Sequence, residues 1–120
     1  MGITQICGNI GENAACKYLK KQRYSIIERN FRRRYGEIDI IAQKKDMYVF
    51  VEVKTRESTE YGLAMEFVTK SKQQKLIRTA KLYIMEHELD AAFSFDVIEV
   101  YHKGQKIVNI NHIENAFMCK

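Results

Sequence analysis

The chain has 120 residues, 46% of them apolar, and a formal net charge of +5 at neutral pH. That length supplies one domain with one modest core. No apolar stretch approaches the length needed to span a bilayer, and the amino terminus lacks the charged segment and apolar run of a secretory signal. A cytoplasmic protein with no membrane partner is therefore expected.

Cys7, Cys16 and Cys119 form no CxxC pair, and their odd number fits reduced thiols better than a disulfide framework or a zinc site. The charge is uneven: residues 1–81 hold 17 Lys and Arg against 9 Asp and Glu, whereas residues 82–120 hold 3 against 6. Such an excess favours a polyanionic partner, with a merely solvated basic face as the alternative.

In chain order, Ile3, Ile6, Cys7, Ile10, Ala14 and Tyr18 recur at helical spacing, and Ala15 and Leu19 widen the apolar arc, so a helix is predicted over residues 3–22. Gly8 and Gly11 weaken it intrinsically but allow close approach to another backbone. Residues 25–32, 36–42 and 47–54 read as three strands with short polar connections, an antiparallel meander. A polar segment from Thr55 to Phe67, with Gly62 inside it, then carries the chain away as a loop over or beside the site. Thr69 is the expected cap of a second helix reaching Glu88, with Leu76, Ile77, Ala80, Tyr83 and Ile84 on one face. Residues 93–101 read as a fourth strand, 106–110 as a short edge strand and 113–117 as a final helical turn. The order αβββαβ predicts a mixed central sheet flanked by helices, the second helix serving as a crossover.

The chemistry concentrates in two runs, Gly36-Glu37-Ile38-Asp39-Ile40-Ile41 and Phe50-Val51-Glu52-Val53-Lys54. Each places charge inside an apolar strand pattern, which costs free energy unless the charge is partnered. By strand alternation Glu37 and Asp39 project to one side and Ile38 and Ile40 to the other, as Glu52 and Lys54 do against Val51 and Val53. A hairpin through Gln43-Lys44-Lys45-Asp46 that brings like faces together gathers two or three carboxylates and one ammonium. Magnesium needs only one or two carboxylates and a carbonyl besides its waters, and Asp39, Glu52 and the Val53 carbonyl supply that set. Lys54 is then placed to orient a metal-bound water or stabilise the transition state. A structural salt bridge of Lys54 with Glu52 or Asp39 explains the same residue types equally well.

Gln73 interrupts the apolar stripe of the second helix where another Leu or Ala is expected, and a polar amide there needs a partner on the sheet it faces. Glu12 lies on the margin of the first helix's buried arc, within reach of the same cavity, with a solvated helix carboxylate as the competing reading. Arg29, Arg32, Arg33 and Arg34 precede the acidic strand, Arg56 follows the third, and Lys70, Lys72, Lys75 and Arg78 lie on the second helix. Basic patches flanking an acidic pocket suit a phosphodiester backbone drawn across a metal site. Tyr35 and Tyr61 are candidate stacking rings. His87, His102 and His112 are scattered and expected at the surface.

Glu12, the GEIDII run at 36–41, VFVEVKTR at 49–56 and the Lys72-Gln73 helix, together with Gly8, Gly11, Ala15, Tyr18-Leu19, Glu28-Arg29-Asn30 and Tyr61-Gly62, resemble the YraN-like family. That family is classed with PD-(D/E)XK endonucleases and is similar to archaeal Holliday junction resolvases. The resemblance covers nearly the whole chain. It implies a restriction-endonuclease-like α/β fold, Asp39 and Glu52 as ligands of Mg²⁺ or Mn²⁺, Lys54 as catalytic lysine, supporting roles for Glu12 and Gln73, DNA (possibly branched) as partner, and a homodimer. A non-catalytic nucleic-acid-binding module of the same fold and an RNA-processing nuclease are the competing functions.

Overall fold

A computed structural model describes residues 3–60 and 68–118, with side chains from Ile10 onward except that of Glu60. The expected contributions of the Ile3, Ile6, Cys7 and Gly8 side chains, of Tyr61 and Gly62, and of Cys119 lie outside the described residues.

Helix α1 (Ile3–Lys21) leads into strands β1 (Ser25–Arg33), β2 (Gly36–Lys44) and β3 (Met47–Glu57). After a short 3-10 turn at Ser58–Glu60 come helix α2 (Lys70–Glu86) and strands β4 (Ala92–Lys103) and β5 (Lys106–Phe117). The sheet order is β1-β2-β3-β4-β5. β1, β2 and β3 form the antiparallel meander, α2 returns the chain so that β4 lies parallel to β3, and β5 closes the edge antiparallel to β4. This is the predicted αβββαβ core, and no helix among the described residues is long and apolar enough to cross a membrane.

Alternation along the central strands divides the apolar side chains between the two sheet faces. Val49 and Val51 join Ile40, Ala42, Ile98 and Val100 beneath Ala15, Cys16 and Leu19 of α1. Phe50 joins Phe31, Ile41, Phe95 and Val97 beneath Leu76, Ile77, Ala80 and Tyr83 of α2. Thr69 caps α2 as expected, its hydroxyl accepting from the Lys72 N–H at 3.2 Å.

The carboxy-terminal reading needs correction. Residues 113–117 form no helical turn, and β5 is one strand running the length of β4, from Lys103 opposite Lys106 to Phe95 opposite Phe117. Register shifts between Tyr101 and His102 and between Phe95 and Val97 interrupt the ladder, and Asn115 has φ 53°. These bulges place Ile107 and Ile110 on the α1 face and Ile113 and Phe117 on the other, so the apolar spacing mimics a helix while the chain is extended.

At Gly11 α1 passes close to β3: a methyl group added there would collide with the Thr55 side chain. Alanine at an ordinary helical glycine gains about 1 kcal/mol. Here Gly11→Ala is expected to lower the melting temperature instead, and to raise it on a Thr55→Ala background, a sign reversal readable by thermal denaturation of the four proteins.

Candidate functional site

The β2–β3 ladder pairs Lys44 with Met47 through to Ile40 with Val51 and goes no further. At its end the Asp39 carboxylate takes over: Oδ2 accepts the Val53 N–H at 2.8 Å, in place of a backbone carbonyl. Alternation also fails here. Ile38 belongs to the core under α2 and Ile40 to the core under α1, so the expectation that both project to one side is corrected. The neighbouring strand is distorted at the same level, where Asn30 has φ 54° between the Arg29–Ile40 and Phe31–Ile38 pairs. The strand thus turns over at Asp39, where the pairing of β2 with β3 ends.

Burial, and then the charge of Glu52, push the Asp39 carboxyl up from 3.8 to about 7; the Val53 hydrogen bond only partly offsets them, and Glu12 and Glu37 add to the rise. Glu52 is buried, and the Lys72 ammonium reaches its Oε1 at 2.6 Å from the first turn of α2. Lys54, the next residue but one, is half-buried, and among the described residues neither Glu52 nor Asp39 forms a salt bridge with it. The structural pairing that competed for Lys54 is therefore not formed. Lys72, expected on phosphate, is the counter-ion that the sequence did not assign to Glu52.

The supporting residues are placed less directly. Glu12 meets Arg29 at 3.4 Å, at the rim of the site. The Gln73 amide donates to the Val68 carbonyl at 2.8 Å, so its partner is the chain entering α2 and not a carboxylate.

Much of the basic set is spent within the protein. Arg32 pairs with Glu37, Arg33 holds Glu86 through two hydrogen bonds of 2.8 and 2.9 Å, and Arg56 holds the buried Glu99 at 3.0 Å. Arg34, Lys70, Lys75 and Arg78 are exposed, and among the described residues no acid is paired with them.

A buried polar network on the other side of β4 was not foreseen. Asp96 accepts from the Ser94 hydroxyl at 2.6 Å, from His112 Nε2 at 2.7 Å and from the Asn115 N–H at 3.0 Å. Burial works to raise the Asp96 pKa, but these bonds outweigh it and hold the carboxyl below its ordinary value. An ionised Asp96 can only accept, so His112 Nε2 carries the proton facing it, while Nδ1 lies 3.0 Å from the Tyr18 hydroxyl of α1. His112 is therefore not a surface residue. Its signal in the sequence was Asp96, an acid inside a strand pattern that requires a partner.

Two carboxylates and a carbonyl are hard oxygen donors that suit magnesium or manganese. A carboxyl whose ionisation is opposed by its neighbour is the electrostatic condition a divalent cation relieves. Among the described residues no group of three or more His, Cys, Asp or Glu side chains gathers, so the main chain and water would complete the coordination. The fold and site together define a mixed α/β protein with a carboxylate pair and a lysine at the frayed end of a central hairpin. The chain belongs to UPF0102, an uncharacterised protein family whose model matches residues 11–100. It is 51% identical over 117 residues to the UPF0102 protein of Clostridium acetobutylicum, covering 96% of both chains. It is 46% identical over 113 residues to that of Caldanaerobacter subterraneus subsp. tengcongensis, covering 92% of this chain and 93% of the relative.

Proposed function

We propose that the protein is a magnesium- or manganese-dependent DNA endonuclease of the PD-(D/E)XK type, hydrolysing phosphodiester bonds, with branched DNA such as a four-way junction as the preferred substrate. The observation that carries this reading is the Asp39–Glu52 pair at the end of the β2–β3 ladder, with Lys54 two residues beyond Glu52 on β3. Asp39, Glu52 and the Val53 carbonyl are the residues to hold the ion. When bound, the ion supplies charge neutralisation at the phosphate and a water of lowered pKa.

The remaining steps belong to the chain itself. Asp39 is fixed through the Val53 N–H, so one of its oxygens stays oriented by the sheet. Lys54 orients the attacking water and offers positive charge to the pentacovalent phosphorus as the leaving oxygen departs. Lys72 balances the Glu52 charge in this structure, and with a cation held by Glu52 its ammonium would be available to a phosphate. Arg34, Lys70, Lys75 and Arg78 supply open positive charge for the flanking backbone. A junction presents two related strands, and a symmetric homodimer would match them.

The test is cleavage of an end-labelled panel of four-way junction, flap, single strand, linear duplex and matched RNA, each with Mg²⁺, Mn²⁺ or EDTA. Cutting of branched DNA with either metal and none in EDTA is the expected result. Binding without cutting on every substrate would replace the nuclease with a DNA-binding module, and cutting confined to RNA would move the substrate class.

A further inference from the structure

Tyr35 stands at the tip of the β1–β2 hairpin, 39% exposed, four residues along the chain from Asp39. Two guanidiniums lie over its ring, Arg34 at 5.8 Å and Arg78 at 5.5 Å from the centroid. Both distances sit near the ~6 Å limit of the cation–π range, and at exposed sites such contacts are weak. They do not account for an aromatic ring held in solvent at a hairpin turn.

The surroundings point to a ligand with both a flat face and negative charge. Arg29, Arg32, Arg33 and Arg56 are neutralised by acids of the protein, whereas Arg34, Arg78 and Lys75, the cations nearest Tyr35, have no such partner among the described residues. The hairpin tip is seated on α2: a methyl built on Gly36 would lie 3.7 Å from the Lys75 Cβ and 3.5 Å from the Thr79 hydroxyl. Lys72, Lys75 and Arg78 are spaced three residues apart, so one edge of α2 runs from the Glu52 carboxylate to the tyrosine over roughly 9 Å at ~1.5 Å per residue. Along the chain, four residues at ~3.3 Å put Tyr35 at most roughly 13 Å from Asp39. That is about four base steps of ~3.4 Å in stacked DNA, and fewer nucleotides in an extended strand.

We propose that Tyr35 is a stacking platform for an unpaired DNA base one to four nucleotides from the scissile phosphate, with Arg34, Lys75 and Arg78 holding the phosphates on either side. This rests on the nuclease reading and sharpens it. A base inside a continuous duplex has no free face for the ring, so the platform selects DNA with unpaired nucleotides beside the cut, such as a flap or an opened junction.

The test uses binding without turnover, in EDTA. Flap substrates carry 2-aminopurine at each of the first four unpaired positions and a remote dye for anisotropy. Wild type and Tyr35→Phe are expected to quench 2-aminopurine strongly at one position. Tyr35→Ala is expected to bind about 5- to 150-fold more weakly, the range for loss of one stacked base, and to leave the fluorescence unquenched. Because the side chain is exposed, all three should share one melting temperature. Equal affinity and equal quenching in Tyr35→Ala would overturn the stacking role while leaving the nuclease reading intact. Absence of any anisotropy change on DNA would overturn both.

Discussion

Asp39→Asn is expected to lower metal-dependent cleavage by about 10³-fold or more and, without added divalent ion, to make the protein more stable than wild type above neutral pH. The amide is nearly isosteric and still accepts the Val53 N–H, so the end of the hairpin survives the change. What disappears is the charge. In the folded chain the Asp39 carboxyl is held at about 7 by burial and Glu52, against 3.8 in the unfolded chain. Between those values the folded state keeps a proton that the unfolded state has released. This group's penalty is therefore absent below about pH 4, grows as pH rises through the window, and is complete above pH 7. The linkage slope of ~1.36 kcal/mol per pH unit, reduced for local relaxation, gives a penalty on the order of 2–4 kcal/mol.

Urea unfolding at pH 4, 6 and 8 should show wild type falling relative to the asparagine variant across that window, with Mn²⁺ restoring wild type alone. Lys54→Ala separates the two effects, because it should lose cleavage by about 10²–10³-fold and keep the wild-type pH slope. Parallel pH profiles for wild type and Asp39→Asn would remove the electrostatic basis of the site.

Arg56→Ala should destabilise the fold by about 3–5 kcal/mol, the range for removing one partner of a buried ion pair. Glu99 is 1% exposed; Arg56 Nε serves one of its oxygens at 3.0 Å and Asn111 Nδ2 the other at 2.9 Å. Truncating the arginine leaves the buried Glu99 carboxylate, on β4 between β3 and β5, without this counter-charge. Arg56→Ala combined with Glu99→Gln should recover much of the loss, since the neutral amide needs no counter-charge. Urea midpoints of the two singles and the double measure this. If Arg56→Ala unfolds at the wild-type midpoint and only weakens DNA binding, its guanidinium belongs to the phosphate surface and not to the fold.

Much of the αβββαβ order is legible because local pattern governs it. Val49, Phe50 and Val51 alternate between two apolar layers, Thr69 announces a helix start, and Leu76, Ile77, Ala80 and Tyr83 recur at helical spacing. Asp39, Glu52 and Lys54 stand out for a related reason: charge inside an apolar strand is costly wherever the chain goes, so its presence marks a site before any geometry is known. Residues 106–110 are the expected strand, but at 113–117 the bulges of β5 give an extended strand a helical apolar spacing, and a bulge depends on the partner strand that only the sheet provides.

Which charge meets which is a different matter. Of the basic residues flanking the acidic strand, Arg33 went to Glu86, Arg56 to Glu99 and Lys72 to Glu52, at sequence separations that no periodicity encodes. His112 is buried because β4 and β5 pair in a register that sets it on Asp96 beneath Tyr18. The chain by itself thus determined its elements apart from the end of β5, their order and the residues carrying unusual charge, since these follow from side-chain polarity and short-range backbone preference. Only the tertiary structure decided that Asp39 feels the charge of Glu52 at the end of the ladder and that Arg34 and Arg78, without acid partners among the described residues, lie over Tyr35. Coulomb energies and desolvation depend on distances between atoms far apart in sequence, and those distances exist only once the sheet has formed.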